Sequence, residues 1–343
     1  MGRIRITGLF LALTLLLGGC VRSDPQTRQF FAMDTMMNFT AYGAQAEDAL
    51  AQAEEYIVNL EKNISVTRQN SDIAMLSRVS GEPVQVSEDT FALLTQALEL
   101  CAATGGALDI TAYPAVKAWG FTTGEYRVPD QGERDELVEI IDYTAVEMDE
   151  DSRSVTLPKG MAVDLGAVAK GWAGQRLHDL LVSQGIESAM LVLGGNVQTV
   201  GTKPNGSLWR VGIQDPDSET GAYLASVSVA DQAVVTSGGY QRFFEENGEN
   251  YWHIIDPDTA APARSGVISA PIVGPDGGVC DALSTALFVL GAEESAALWR
   301  SGTLDFDYIL VLEDGSIHMT QGLEDTFALM NGYQDRKVTV IAP

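Results

Sequence analysis

Three oxygen-bearing side chains, Asp281, Ser284 and Thr285, open an otherwise apolar stretch, "CDALSTALFVLG" at residues 280–291. Residues three and four apart stack on one helix face, so these oxygens converge while Leu283, Leu287, Phe288 and Leu290 turn to a core. Two chemistries fit that spacing. In one, Asp281 caps the helix N-terminus and the two hydroxyls bond back to the preceding turn. In the other, the three oxygens hold a hard cation such as Mg²⁺, which takes carboxylate oxygens together with water or substrate phosphate.

Elsewhere, "VDLGAVAKGWAGQRL" sets Asp164 ahead of small residues at 166, 167, 169, 171, 173 and 174, with Lys170 among them. Small residues admit a close backbone or ligand, free N–H groups and a lysine suit phosphates, and a carboxylate suits an amine or hydroxyl. Close helix packing with a solvated Lys170 accounts for the same pattern, and the segment is neither a Walker loop nor a dinucleotide fingerprint. "TGGALDIT" puts Asp109 just past Gly105-Gly106, as a helix end followed by a turn or as an exposed carboxylate. "LVLGGN" closes in Gly194-Gly195-Asn196, a hairpin or a ligand surface. His253, in "YWHIIDPDTAAP", is either a structural strand residue or the best general base among three histidines, the others being His178 and His318. "VVTSGGYQRFF" carries Thr236, Ser237 and Arg242 but no elbow motif, which makes Ser237 a weak nucleophile candidate.

The charge balance narrows the ligands. The chain has a formal net charge of −26, and setting aside Arg3 and Arg5 with the leader described next leaves 19 basic residues against 47 acidic ones, a net of −28. Nucleic acid is excluded as a natural partner. An acidic protein that handles an anion must recruit local cations, either a metal or selected lysines. Arg3 and Arg5 followed by "GLFLALTLLL" form a signal peptide too short to serve as a membrane anchor, and the small residues before Cys20 form a lipobox. Cleavage there makes Cys20 the lipidated first residue of an extracytoplasmic lipoprotein held at the cell membrane, with residues 20–28 as its tether. Only Cys101 and Cys280 remain, so no disulfide framework exists; one bridge between them is open, and two buried thiols are expected. Three scattered histidines argue against zinc.

Positioning these groups falls to a mixed set of elements. About 320 residues after the leader suffice for a large core. "FFAMDTMMNFTAYG" alternates like a strand, and "AEDALAQAEEYIVNLEKNI" has helical periodicity with an acidic first turn. The pattern predicts further helices at 71–78, 88–103 and in "RDELVEIID", a turn or short helix ending at Trp119-Gly120-Phe121, and a hairpin in "AVEMDEDSRSVTLP". A helix is predicted over 164–184, then the buried strand "SAMLVLGG", many short β segments from 195 to 272, the helix of residues 280–291, a helix in "EESAALWRS", and a terminal hairpin from "FDYILVLE" and "SIHMT". Helices and strands do not alternate strictly, and no linker or repeat divides the chain. The expectation is a single α+β domain over 29–343 with a central mixed, largely antiparallel sheet flanked by helices.

In order and spacing, "MDT" at 33–35, "GGALDIT", "AWGF", "VDLGAVAKG", "LGGN", "TSGGYQRFF", "HIIDPDT" and "DALST" resemble the successive motifs of the ApbE-type FAD:protein FMN transferases, across essentially the whole chain after the leader. The resemblance implies a flavin and nucleotide pocket of Met33, Thr67, Ala107, Leu108, Asp109, Asp164, Lys170 and Ile255. It implies a Mg²⁺ site of Asp281, Ser284, Thr285 and the main-chain oxygen of Ala167. The implied reaction moves the FMN moiety of FAD to a threonine or serine hydroxyl of an acceptor flavoprotein, releasing AMP; the expected acceptor of the hydroxyl proton is His253, for its place beside Ile255, or a nearby carboxylate. The implied acceptor is an extracytoplasmic subunit of a redox complex. Three departures stand out: Asp34 and Ala260 occupy positions where the family often has glycine, and Thr67 stands where many relatives have an aromatic residue. The same constellation would serve an FAD pyrophosphatase, with water replacing the acceptor hydroxyl. A non-catalytic flavin-binding lipoprotein needs the pocket but not the metal, and a solute-binding lipoprotein needs two α/β lobes that this pattern lacks.

Overall fold

The computed structural model describes residues 24–218 and 221–343; the leader and Cys20 lie outside the described residues. Nine strands build the main sheet: β1 (Gln26–Ala32), β2 (Thr35–Tyr42), β3 (Ser188–Leu193), β4 (Asn196–Gly201), β5 (Ala233–Gly238), β6 (Val267–Gly274), β7 (Asp307–Leu312), β8 (Ile317–Thr320) and β9 (Val338–Ile341). Their order across the sheet is their order along the chain. Every neighbouring pair is antiparallel until the last, where β9 runs parallel to β8. The sheet is thus mixed and largely antiparallel, and the fold is α+β.

Seven helices are described: α1 (Ala46–Ile64), α2 (Asp72–Arg78), α3 (Glu88–Ala103), α4 (Tyr113–Ala118), α5 (Gln131–Val138), α6 (Ala169–Ser183) and α7 (Gly277–Ser301). Side chains alternate across a strand, and β7 shows the result: Tyr308 and Leu310 join the core under α1, α3, α6 and α7, while Ile309 and Val311 join a second core. That second core is closed by a three-stranded ladder of residues 209–214, 223–229 and 327–329. Burial on both faces explains why the central strands read as continuous apolar runs. Along α1, Ala46, Ala49, Leu50, Ala53, Ile57, Leu60 and Ile64 are buried at helical spacing, each of the leucines and isoleucines contributing about 1.5–3 kcal/mol.

Local chemistry moved several boundaries. The expected single strand at 30–43 is a hairpin: β1 and β2 meet at a two-residue turn in which Met33 (φ 48°) and Asp34 (φ 58°) are both left-handed, the geometry that matches strand twist. Strand pairing begins at Gln26, inside the stretch read as tether. The helix predicted from 164 starts at Ala169, because the Asp164 carboxylate accepts the Gly166 N–H at 2.8 Å and holds 164–168 as a turn. Asp281 does not cap α7. Asp276 does, accepting the Val279 N–H at 2.9 Å, so Asp281 sits in the helix body. The two helices expected around Gly291 abut at that residue, whose φ of 78° interrupts α7. The hairpin of β7 and β8 is not terminal, since β9 returns beside β8.

Candidate active-site cleft

Loops at one end of the sheet enclose a cleft of about 400 Å³. Its walls come from the β1–β2 turn, the segment after α1, residues 107–116, the turn leading into α6, the β3–β4 turn, the end of β5, residues 253–255, and α7. Five carboxylates face it, from Asp34, Glu61, Asp109, Asp164 and Asp281, against two cations, Lys170 and Arg242.

The α6–α7 contact shapes one corner. Gly171 has no side chain, so the backbone of α6 lies directly on the first turns of α7, and the Gly171 N–H donates to Asp281 Oδ2 at 2.8 Å. Asp281 is 4% exposed, and among the described residues no lysine, arginine or histidine pairs with it. Burial pushes its carboxyl above the ordinary range, with Lys170 and the Gly171 N–H pulling back. Asn196, also buried, stands beside it, and its side-chain amide helps hold the carboxyl down. Ser284 donates to the Asp281 carbonyl oxygen at 2.7 Å, and the Ser237 hydroxyl lies 2.7 Å from that of Ser284 and 3.4 Å from that of Thr285. A buried carboxylate without an ion pair, beside the hydroxyls of Ser284 and Thr285, offers oxygen donors that suit a hard divalent cation.

Across the cleft, the Asp164 carboxyl is also raised by burial, and the Asp164 N–H donates to the Ile110 carbonyl at 2.9 Å, tying this turn to the 107–112 wall. Lys170 Nζ donates to Gly166 O at 3.2 Å. Asp109 accepts from the Thr111 N–H (2.7 Å) and hydroxyl (2.6 Å) and from the Tyr143 N–H (3.0 Å), so its first task is to hold the wall; burial raises its carboxyl too. His253 Nδ1 donates to the Arg242 carbonyl at 3.1 Å, which leaves Nε2 with its lone pair. Burial lowers the imidazole from 6.5 to about 4, so it is neutral at pH 7. The Arg242 guanidinium in turn donates to the Phe121 carbonyl.

Met33, Thr67, Ala107, Leu108, Asp109, Asp164, Ala167, Lys170, His253, Ile255, Asp281 and Thr285 all line this one cleft. Ser284, fully buried, does not; it lies one layer behind, against Ser237. Asn196, Ser237 and Arg242 also line the cleft. Their motifs stood out in the sequence, but nothing local separated ligand contact from a strand-end turn. Glu61, Tyr113 and Thr122 carried no signal. The Thr67 hydroxyl meets that of Ser65 at 3.1 Å, and Tyr113 contributes an aromatic ring to the cleft lining. Cys101 and Cys280 are buried and unpaired.

A nine-stranded α+β sheet with an acidic, carboxylate-cornered cleft at the ends of its strands defines a small-molecule site rather than a nucleic-acid or solute-shuttling one. The chain matches the ApbE family model over residues 33–310, and it belongs to that family. It is 33% identical to the FAD:protein FMN transferase of Treponema pallidum over 334 residues, 92% of each chain, and 30% identical to that of Vibrio cholerae over 89% of this chain and 93% of the other. Among solved structures, the ApbE protein of Thermotoga maritima superposes with a TM-score of 0.83 at 29% identity, covering 88% of this chain and 99% of that one. The flavin transferase ApbE of Vibrio cholerae gives 0.75 at 26%, over 89% and 99%.

Proposed function

We propose that this chain is a divalent-cation-dependent FAD:protein FMN transferase, which moves the FMN half of FAD onto a threonine or serine hydroxyl of an acceptor protein and releases AMP. The observation that carries the reading is that buried Asp281, which has no ion-pair partner among the described residues, lines the same cleft as Thr285, Ala167, Lys170, Asp164 and His253. FAD carries an anionic pyrophosphate, and a cleft with five carboxylates and two cations does not accept it without added positive charge. Asp281, Thr285 and the Ala167 carbonyl would hold Mg²⁺, with Ser284 orienting Ser237 and Thr285 from behind. The cation supplies charge neutralisation at the pyrophosphate oxygens.

The chain's own groups do the rest. Lys170 pairs with phosphate, and Met33, Thr67, Ala107, Leu108, Asp109, Asp164 and Ile255 bind the flavin and nucleotide parts. The acceptor oxygen attacks the FMN-side phosphorus, the bond to the AMP phosphate breaks, and the hydroxyl proton passes to His253 Nε2. His253 is a weak base in the free protein, and the bound pyrophosphate's negative charge strengthens it. The reading includes lipidation at Cys20 and an extracytoplasmic acceptor at the cell membrane, both supported by the leader and lipobox sequence alone.

The test is mass spectrometry of an extracytoplasmic flavoprotein domain bearing an exposed threonine, incubated with the protein, FAD and Mg²⁺ beside Asp281→Ala and chelator controls. FMN on the hydroxyl, absent from both controls, is the expected result. Free FMN and AMP with an unmodified acceptor would replace transfer by pyrophosphate hydrolysis, and no FAD turnover would leave only a binding protein.

A further inference from the structure

The first strand of the sheet ends at the cleft, and among the described residues it has no neighbour on its outer side. In a two-residue hairpin the flanking pair, Ala32 and Thr35, is hydrogen-bonded, and bonded pairs then alternate away from the turn. Phe31, Gln29 and Thr27 therefore direct their N–H and C=O groups away from β2. Among the described residues none of these groups bonds to another element, and β1 is the end strand of the sheet. Natural sheets blunt such edges with proline, bulges, short strands or covering loops. Here seven residues pair with β2 without a register shift and without proline.

The side chains grade along this edge. Phe31 and Met36, cross-strand partners, are 65% and 56% exposed, and the next outward pair, Gln29 and Asn38, is polar. The second core that the ladder closes over the same face of the central strands includes no described residue of β1. The exposed apolar pair is contiguous with Met33 and Asp34, which line the cleft.

We infer that β1 is the docking edge for the acceptor: an extended segment of the acceptor adds as a strand beside Thr27–Phe31, rests an apolar residue on Phe31 and Met36, and so delivers its hydroxyl-bearing residue past the turn into the cleft. This inference rests on the transferase reading. An extended polypeptide is the occupant that satisfies a row of backbone donors and acceptors. Lipid offers no such partners, and a chain of net charge −26 with Asp34 at the tip is repelled by an anionic bilayer. The span from Thr27 to Phe31 is about 14 Å, room for a five-residue pairing.

The experiment uses short synthetic peptides with one central threonine, screened for FMN labelling by the wild-type protein with FAD and Mg²⁺; the best substrate is then remade with single backbone N-methyl groups. Strand addition predicts alternation, with kcat/KM falling about tenfold at every second amide, the upper worth of the one hydrogen bond each N-methyl removes, and little change between. Gln29→Pro, which removes an outward N–H and blocks the edge, should cut peptide labelling as strongly while FAD affinity holds. Uniform tolerance of N-methylation, or full labelling by Gln29→Pro, overturns the docking edge and leaves the transferase intact. No labelled peptide beside a labelled flavoprotein domain overturns the docking edge alone, and no labelling of either overturns both. A wild-type dimer that Gln29→Pro dissociates without loss of labelling assigns the edge to a second copy instead.

Discussion

Gly171→Ala separates site architecture from helix propensity. Alanine in place of glycine within an exposed helix ordinarily stabilises by about 0.5–1 kcal/mol. At position 171 the new methyl would stand 2.0 Å from the Gly277 carbonyl oxygen and 2.5 Å from Asp281 Cβ, both in α7. The carbonyl is helix backbone and has no rotamer to change, so α6 and α7 must part by about an ångström or more to restore ordinary contact distances. Overpacking of this kind costs about 1–3 kcal/mol. The same movement stretches the Gly171 N–H bond to the buried Asp281 carboxylate, and a bond to a charged group is worth about 1.5–3 kcal/mol. The sum, about 2.5–6 kcal/mol, corresponds to a fall in melting temperature on the order of 10 °C.

Gly174→Ala is the control one turn along, where a methyl would meet Gln198 Cβ at 3.5 Å, an ordinary contact. Differential scanning calorimetry should place Gly174→Ala at or slightly above wild type and Gly171→Ala far below it. Cation-dependent FAD turnover should fail in the second variant even at temperatures where it remains folded. Equal melting temperatures, or a stable Gly171→Ala with full turnover, would show that the α6–α7 approach does not set the position of Asp281.

Asp281→Asn should raise the melting temperature of the cation-free protein, because it removes a buried charge that no ion pair neutralises while keeping an oxygen for the Gly171 N–H, and should abolish stabilisation by Mg²⁺; a destabilised variant that still responds to Mg²⁺ would contradict the cation reading. The Asp281 carboxyl titrates above its unfolded value near 3.8, so it stabilises the cation-free fold most below that pH and progressively less as pH rises through its folded value. Added Mg²⁺ should therefore raise the melting temperature more in mildly alkaline than in acidic buffer, and a flat response in thermal-shift assays would refute the assignment. The depressed His253 imidazole is stabilising above its unfolded 6.5, a contribution lost as pH falls through about 4; the acid limb of kcat/KM for the free protein should accordingly fall near 4, and a limb at 6.5 that disappears in His253→Gln would show an ordinary, solvated histidine. Ala260→Gly should stabilise the protein by about 1 kcal/mol by relieving left-handed backbone at φ 48°, checked by denaturant unfolding; a loss of stability would mean that the alanine methyl contributes more packing than strain.

Long amphipathic periodicity was legible: α1 spans Ala46–Ile64 and α3 Glu88–Ala103, each matching its apolar repeat, and the mixed, largely antiparallel sheet follows from short β segments without helical alternation. What escaped was decided by single side-chain hydrogen bonds. Asp164 takes its own downstream N–H and delays α6 by a turn, and Asp276 rather than Asp281 caps α7. Both aspartates precede small residues, so composition alone does not say which carboxylate turns inward to the backbone and which stays free for a ligand. The same limit governed the site. Ser237 and Ser284 are 47 residues apart in sequence and 2.7 Å apart in space, a meeting made by β5 lying under α7.

The residues at positions 34 and 260 show how strongly the cleft constrains its loops. Asp34 and Ala260 stand where the family pattern often carries glycine, and both have positive φ, 58° and 48°. Left-handed backbone in a residue with a Cβ costs about 1–2 kcal/mol, so its retention requires surroundings that over-determine it. At 260 the surroundings are visible: the carbonyl accepts the Trp119 indole N–H at 2.8 Å, and the residue is fully buried in the cluster with Trp119, Phe121 and Ile255. At 34 they are the antiparallel register of β1 with β2 and the cleft wall itself. Glycine would make these conformations easy, but it is not what produces them. The turn geometry belongs to the site, since Ile255 and Met33 reach the cleft only if the chain reverses at these two points, and the sequence accepts backbone strain to keep that reversal.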